Sequence, residues 1–283
     1  VIASFIITLR EGLEAALIIG VLAAYLAKIG RRDLNKYIYM GTGLAVMASI
    51  VVAGIFALVY GGLSGEAGEL FEGIATLSAS AVLTYMIFWM AKHSKEIKGE
   101  LQRKVDIAIS TGAVAGLVGV AFISVFREGV ETVLFLGAIA FQDPIGTFTG
   151  LILGVAVAVG FAVMMFKGVY RLDIRKFFKY TSIILIVFAA GLTAYGVHEL
   201  NEAGVIPPVI EHVWDINPPI NPDGTYPLLH EKGAIGSILK SLFGYNGNPS
   251  LTEVLAYLGY WLIIGTYVMR SYKYSEKEAL APA

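Results

Sequence analysis

Two five-residue stretches bring charge into parts of the chain that otherwise carry almost none. Arg10-Glu11-Gly12-Leu13-Glu14 and Arg127-Glu128-Gly129-Val130-Glu131 each sit inside a long apolar run. On a helix each residue turns about 100°, so the two glutamates of a motif lie about 60° apart on one face. The arginine stands four residues before the second glutamate and can pair with it. The glycine between them removes a side chain and lets another backbone, or an ion, come close. Carboxylates supply the oxygen ligands that hard cations prefer, with no need for His or Cys. Four glutamates and two arginines leave a formal charge of −2. Pairing among themselves is therefore incomplete, and a multivalent cation would complete it.

The setting makes these charges expensive. Each one at mid-bilayer costs about 2.5–3.5 kcal/mol, and six together cost roughly 15–20 kcal/mol before pairing. An intramembrane salt-bridge staple between two helices, or a proton relay through the carboxylates, would also offset such a cost. Ionisable groups inside membrane segments are nevertheless functional by default.

The elements that must hold the motifs follow from composition. Of 283 residues, 57% are hydrophobic and 15% charged, against about 25% charged in a typical soluble domain. That much apolar surface points to the bilayer as solvent. The net charge of −1 argues against a nucleic-acid partner, and with no cysteine there is no disulfide or thiolate metal site. Apolar segments of spanning length fall at 2–27, 37–61, 70–91, 107–140, 145–166, 178–198 and 252–269. The first lacks the flanks of a signal peptide and reads as a retained helix. The fourth is long enough to tilt, kink or project beyond the hydrocarbon.

Loop charge sets the orientation. Lys28, Arg31, Arg32 and Lys36 follow the first segment, and Lys92, Lys95, Lys98, Arg103 and Lys104 follow the third. Lys167, Arg171, Arg175, Lys176 and Lys179 follow the fifth, and Arg270, Lys273 and Lys277 the seventh. The alternate loops are acidic. The expectation is an all-α membrane protein of seven transmembrane helices, N-terminus outside and C-terminus cytoplasmic, in the cytoplasmic membrane. The motif recurs at a fixed offset, which marks an internal repeat. Its halves, residues 1–91 and 107–200, would be inverted three-helix repeats within one transmembrane domain, an architecture of transporters. An extracytoplasmic loop at 201–250 and a seventh helix at 252–270 complete the expectation. In that loop Ile235, Ile238, Leu239 and Leu242 recur at helical spacing, which suits a short amphipathic or re-entrant helix. Gly112-x-x-x-Gly116 and Gly150-x-x-x-Gly154 read as close packing contacts.

Further oxygen donors cluster at the outer ends. Glu66, Glu69 and Glu72 open the third segment at intervals of three residues, where a helix N-terminus favours acidic groups anyway. Glu72, the deepest, reads as a cation ligand. His198 and Glu199 end the sixth segment and, with Glu69, read as supporting groups. Glu211, His212, Asp215 and His230 read as a solvated loop. Trp89, Tyr257, Tyr260 and Trp261 read as interface anchors or packing.

With these residues in view the chain resembles the oxidase-dependent iron permease family, which includes fungal high-affinity ferric permeases and bacterial Efe-type iron-uptake permeases. The resemblance rests on the two Arg-Glu-Gly-x-Glu motifs. It is supported by Phe71-Glu72-Gly73, by Met86-x-x-Trp89-Met90 and by Gly196-Val197-His198-Glu199-Leu200. It implies that iron is the cargo, delivered in most members as Fe(III) after oxidation by a separate protein. The expected metal residues are Glu11, Glu14, Glu128, Glu131 and Glu72, with Arg10 and Arg127 in support. The expected partners are iron, lipid and an extracytoplasmic ferroxidase or iron-delivery protein. No resident cofactor and no catalytic residue is expected. Transport of another divalent metal, and proton-coupled cation transport, are the alternatives. An intramembrane di-iron oxidoreductase is disfavoured because no Glu-x-x-His pair occurs.

Overall fold

A computed structural model describes residues 1–93, 96–112, 114–167 and 174–280, apart from the side chains of residues 174, 175, 241 and 271–280. Lys95 and Arg171, and the side chains of Arg175, Lys273 and Lys277, therefore lie outside the described residues. Among those described, the chain forms nine α-helices. They are α1 (Ile2–Lys28), α2 (Asn35–Gly61), α3 (Glu66–His93), α4 (Ile97–Ser110), α5 (Val114–Ala140), α6 (Pro144–Phe166), α7 (Ile174–Glu202), α8 (Ala234–Phe243) and α9 (Leu251–Leu280).

Five spans, within α2, α3, α6, α7 and α9, are long and apolar enough to cross a membrane. α1 and α5, at 27 residues each, match them in length but carry three charges at their middles. Outward faces are apolar: on α2, Leu58 is 79% and Ile50 66% exposed. Such surface is unfavourable in water and natural in lipid. The chain is an all-α, multi-pass protein of the cell membrane.

Helix limits follow local chemistry. Asp143 caps α6, its carboxylate accepting from Gly146 N at 2.8 Å, with Pro144 as first helical residue. Ser250 and Glu253 cap α9 reciprocally, each side chain accepting from the other's backbone N–H at 3.2 and 3.1 Å. The expected fourth segment, 107–140, is two helices. α4 ends at Ser110, and Gly112 follows with φ +65°, a left-handed conformation that glycine adopts without strain. Hydropathy misses this break because no charge lies between Ile107 and Phe126. α4 itself is amphipathic and buries Leu101, Val105 and Ala108. Gly112 ends a helix instead of packing one, and a Cβ there would meet nothing, which corrects the first packing expectation.

The chain divides into two compact units. One comprises residues 1–64 and 81–186, the other 65–80 and 187–283. In the first, α1 lies along α6. The Ser4 hydroxyl donates to Gly146 O at 3.2 Å, a Cβ on Gly154 would meet Thr8 Cβ at 2.7 Å, and one on Gly12 would meet Ala158 at 2.8 Å. Positions rise together on both helices, so the pair is parallel, and Gly150 and Gly154 serve as the expected contacts. α5 lies along α2 in the same way, Gly129 against Ser49 and Gly137 against Phe56. α1 and α5 are antiparallel. Ile18, Leu22 and Leu26 from the end of α1 share a core with Leu117, Ala121 and Val125 from the start of α5.

In the second unit, Gly73 of α3 abuts Leu200 and Gly196 of α7. The Ser80 hydroxyl donates to Ala189 O at 2.7 Å. α8 occupies the helical stretch expected at 235–242 and ends on Gly244, whose φ is +69°. A Cβ on Gly244 would meet Gly191, in the middle of α7. The end of α8 thus lies alongside α7 and not beyond its tip.

Candidate metal centre

Antiparallel packing of α1 on α5 brings the two motifs together. Glu11, Glu128 and Glu131 each offer a carboxylate oxygen, and these three atoms lie within 4.8 Å of one another. Glu11 and Glu128 are 2% exposed. The glycines of the motifs permit helix contact: Gly12 accommodates Ala158 of α6 and Gly129 accommodates Ser49 of α2. At both glycines the space is taken by a side chain of the neighbouring helix.

The arginines treat the glutamates unequally. Arg10 Nε lies 3.0 Å from Glu14 Oε1, and Nη1 lies 3.9 Å from Glu11 Oε1. Neither contact has hydrogen-bond alignment, since those atoms have no hydrogen-bond partner among the described residues. Arg127 donates twice to one oxygen, Glu128 Oε1, from Nε at 3.0 Å and Nη2 at 2.6 Å. Its Nε also stands 3.7 Å from Glu131 Oε1. Both oxygens of Glu11, and one each of Glu14, Glu128 and Glu131, remain buried without a hydrogen-bond partner among the described residues. An unsatisfied buried polar atom costs about 1–3 kcal/mol, more when charged. This donor set, all oxygen and net negative, fits a hard cation.

Two cavities border the triad. One, of about 760 Å³, is lined by Thr8, Glu11, Ser49, Glu128, Phe141 and Phe148 among others. The other, of about 550 Å³, is lined by Trp89, Glu100, Lys104, Ile123, Arg127 and Glu131 among others. The first reaches the end of α5 and the start of α6, the second reaches α4. The triad thus stands between cavities that extend in opposite directions along α5.

The remaining expected residues distribute as follows. Glu14 pairs with Arg10, outside the triad. Glu72, Glu69, His198 and Glu199 belong to the second unit. There the Tyr195 hydroxyl donates to Glu72 Oε2 at 3.0 Å, and Glu199 borders the same hydroxyl. His198 Nδ1 lies 3.1 Å from Glu253 Oε1, and Glu253 also accepts from Asn246 Nδ2 at 2.7 Å. Tyr195 and Glu253 escaped the sequence reading. Tyr195 sits one helical turn before Glu199 and Glu253 completes Ser-x-x-Glu, so spacing held a signal for each. Trp89, read as an anchor or packing residue, has its ring 5.6 Å from the Arg127 guanidinium carbon.

Comparison with known proteins gives a consistent set of relatives. Residues 1–275 match the iron permease FTR1 family. The chain is 41% identical over 271 residues to an uncharacterized protein of Archaeoglobus fulgidus, with 94% of each chain covered. It is 36% identical over 259 residues to the ferrous iron permease EfeU of Yersinia pestis, covering 90% of this chain and 89% of the relative. It is 35% identical over 260 residues to the ferrous iron permease EfeU of Escherichia coli O6:H1, covering 90% and 91%. No solved structure matches the chain.

Proposed function

The chain belongs to the iron permease FTR1 family, and on that premise we propose that it moves iron across the cell membrane through Glu11, Glu128 and Glu131. Members of this family are transporters and not enzymes, and iron is the substrate. The observation that carries the proposed route is the orphaned carboxylate set: three glutamate oxygens within 4.8 Å, two of the side chains 2% exposed. Iron entering the triad supplies the positive charge that Arg10 and Arg127 leave wanting.

In this reading α1 and α5 span the membrane with the five more apolar helices, in opposite directions. The start of α1 and the α5–α6 turn face outward together, in keeping with the Ser4 hydroxyl donating to Gly146 O at 3.2 Å. The two halves are inverted repeats. The 760 Å³ cavity opens toward the outside and the 550 Å³ cavity toward the cytoplasm. Rocking of the halves would expose the triad to each in turn. Glu72, with Glu69, Glu199 and His198, gathers cations at the outer end, and an extracytoplasmic ferroxidase or iron-delivery protein supplies them.

A donor set of carboxylates alone suits Fe(III), the harder ion. The names of the Yersinia and Escherichia relatives specify ferrous iron, which favours Fe(II) as the second reading. Uptake of Fe(II), Fe(III), Mn(II) and protons by proteoliposomes tests both readings. Glu11→Gln and Glu131→Gln should each lower iron uptake roughly tenfold or more, since 1.4 kcal/mol of lost binding is a factor of ten. Unchanged uptake in both variants would sink the carboxylate route.

A further inference from the structure

The two arginines do not compete equally with a cation. Arg10 makes its close contact with Glu14, outside the triad, and stands 3.9 Å from Glu11. Arg127 holds Glu128 at 2.6 Å and lies 3.7 Å from Glu131. Arg127 therefore engages two of the three triad carboxylates through Oε1 while their Oε2 atoms stay without a hydrogen-bond partner among the described residues. A cation bound by the triad would repel the adjacent guanidinium. The buried Arg10 side chain is 1% exposed and has nowhere to go, whereas that of Arg127 is 47% exposed at the mouth of the 550 Å³ cavity.

That cavity holds one group prepared to receive a guanidinium. The face of Trp89 lies 5.6 Å from the Arg127 guanidinium carbon, within the range at which an indole ring attracts a cation. The ring is itself braced. His93 stacks on it at 5.0 Å, and His93 Nδ1 lies 3.0 Å from Trp89 O. Glu100, the other acidic group lining the cavity besides Glu131, is held by Lys104 at 2.7 Å. An arginine leaving its carboxylates for an apolar cavity needs a partner there, and Trp89 offers one.

We propose that Trp89 is a positioning residue for transport: it holds Arg127 aside on the face of its ring while iron occupies Glu128 and Glu131. The proposal deepens the triad reading and rests on it. Arg127 reaches the ring and Glu128 at once in this structure. Without the ring, an Arg127 repelled by the metal has no partner left in the cavity and competes more strongly for the carboxylates.

The test is equilibrium binding of Fe(II), under anaerobic conditions, to full-length protein in detergent. Variants are Trp89→Leu, Trp89→Phe, Arg127→Gln, the double variant Arg127→Gln/Trp89→Leu, and Glu128→Gln, each checked for a monodisperse profile and a cooperative melt. Trp89→Leu should weaken binding about tenfold, or about 1.4 kcal/mol, and Trp89→Phe should retain most of it. In the Arg127→Gln background, Trp89→Leu should add nothing, because its effect passes through Arg127. A structural role would weaken both backgrounds alike, and that result would overturn the proposal. Unaltered binding by Trp89→Leu beside weakened binding by Glu128→Gln overturns Trp89 alone. Unaltered binding by Glu128→Gln overturns the triad, and the Trp89 proposal with it.

Discussion

The copies of the motif on α1 and α5 have the same residue types and opposite surroundings. On α1, Arg10 is sealed in, and its nearest carboxylate is Glu14 at 3.0 Å. On α5, Arg127 is half exposed, and its carboxylates are Glu128 and Glu131. The α1 copy contributes one glutamate to the triad and the α5 copy two. The same Arg-Glu-Gly-x-Glu pattern on two antiparallel helices thus meets two environments: one arginine is enclosed, the other is half exposed. What differs is packing around the motif, including Trp89 beside Arg127.

The largest expected difference between the copies is in stability. Arg10→Gln leaves buried carboxylates without their counter-charge and should cost about 3–5 kcal/mol, read as a large fall in thermal midpoint of the purified protein. Arg127→Gln should cost far less, because that side chain is 47% exposed and not enclosed. Equal losses would dissolve the distinction. Next in size is a transport difference. Glu131→Gln should lower the apparent iron affinity about tenfold, one factor of ten per 1.4 kcal/mol, and Glu14→Gln should lower it less at matched folded protein. Proteoliposome uptake across iron concentrations reads both.

The glycines should behave alike, because both copies pack a neighbour there. Gly12→Ala places a Cβ 2.8 Å from Ala158 Cβ, and Gly129→Ala places one against Ser49 Oγ and 2.7 Å from Ser49 Cβ. Each should cost about 1–3 kcal/mol by overpacking. Denaturation of the two variants side by side checks the symmetry. The smallest effect belongs to Glu100 on α4. Lys104 holds its carboxyl below the ordinary range, first by a hydrogen bond and then by its charge. That support is present at neutral pH, above the ordinary carboxylate range, and is lost as pH falls through the lowered value. For an exposed i,i+4 pair it amounts to about 0.3–0.5 kcal/mol, so Glu100→Gln should melt almost like the wild type at pH 7. A large loss would mean that α4 contributes more to the α5 side than its exposed charges suggest.

Much of this was legible in the sequence because charge inside apolar segments is conspicuous. The motifs and their meeting across two helices followed from residue types and spacing, whereas the family came from the resemblance that those motifs carry. The triad's membership did not, since i, i+3 geometry gives all four glutamates equal standing. Which glutamates bring their oxygens within 4.8 Å of one another is a matter of side-chain placement. The break between α4 and α5 was hidden by an uncharged run, with Gly112 as its one local signal. Trp89 was hidden more deeply, because an aromatic near a membrane boundary is usually an anchor, and its neighbour Arg127 is 38 positions away in the chain.

Iron K-edge absorption of the metal-loaded protein, wild type beside Glu128→Gln, tests the carboxylate triad most directly. The expected wild-type spectrum shows an oxygen-only ligand shell, and Glu128→Gln retains little iron at the same loading. A shell containing imidazole nitrogen, or full iron occupancy in Glu128→Gln, would contradict the site built from Glu11, Glu128 and Glu131.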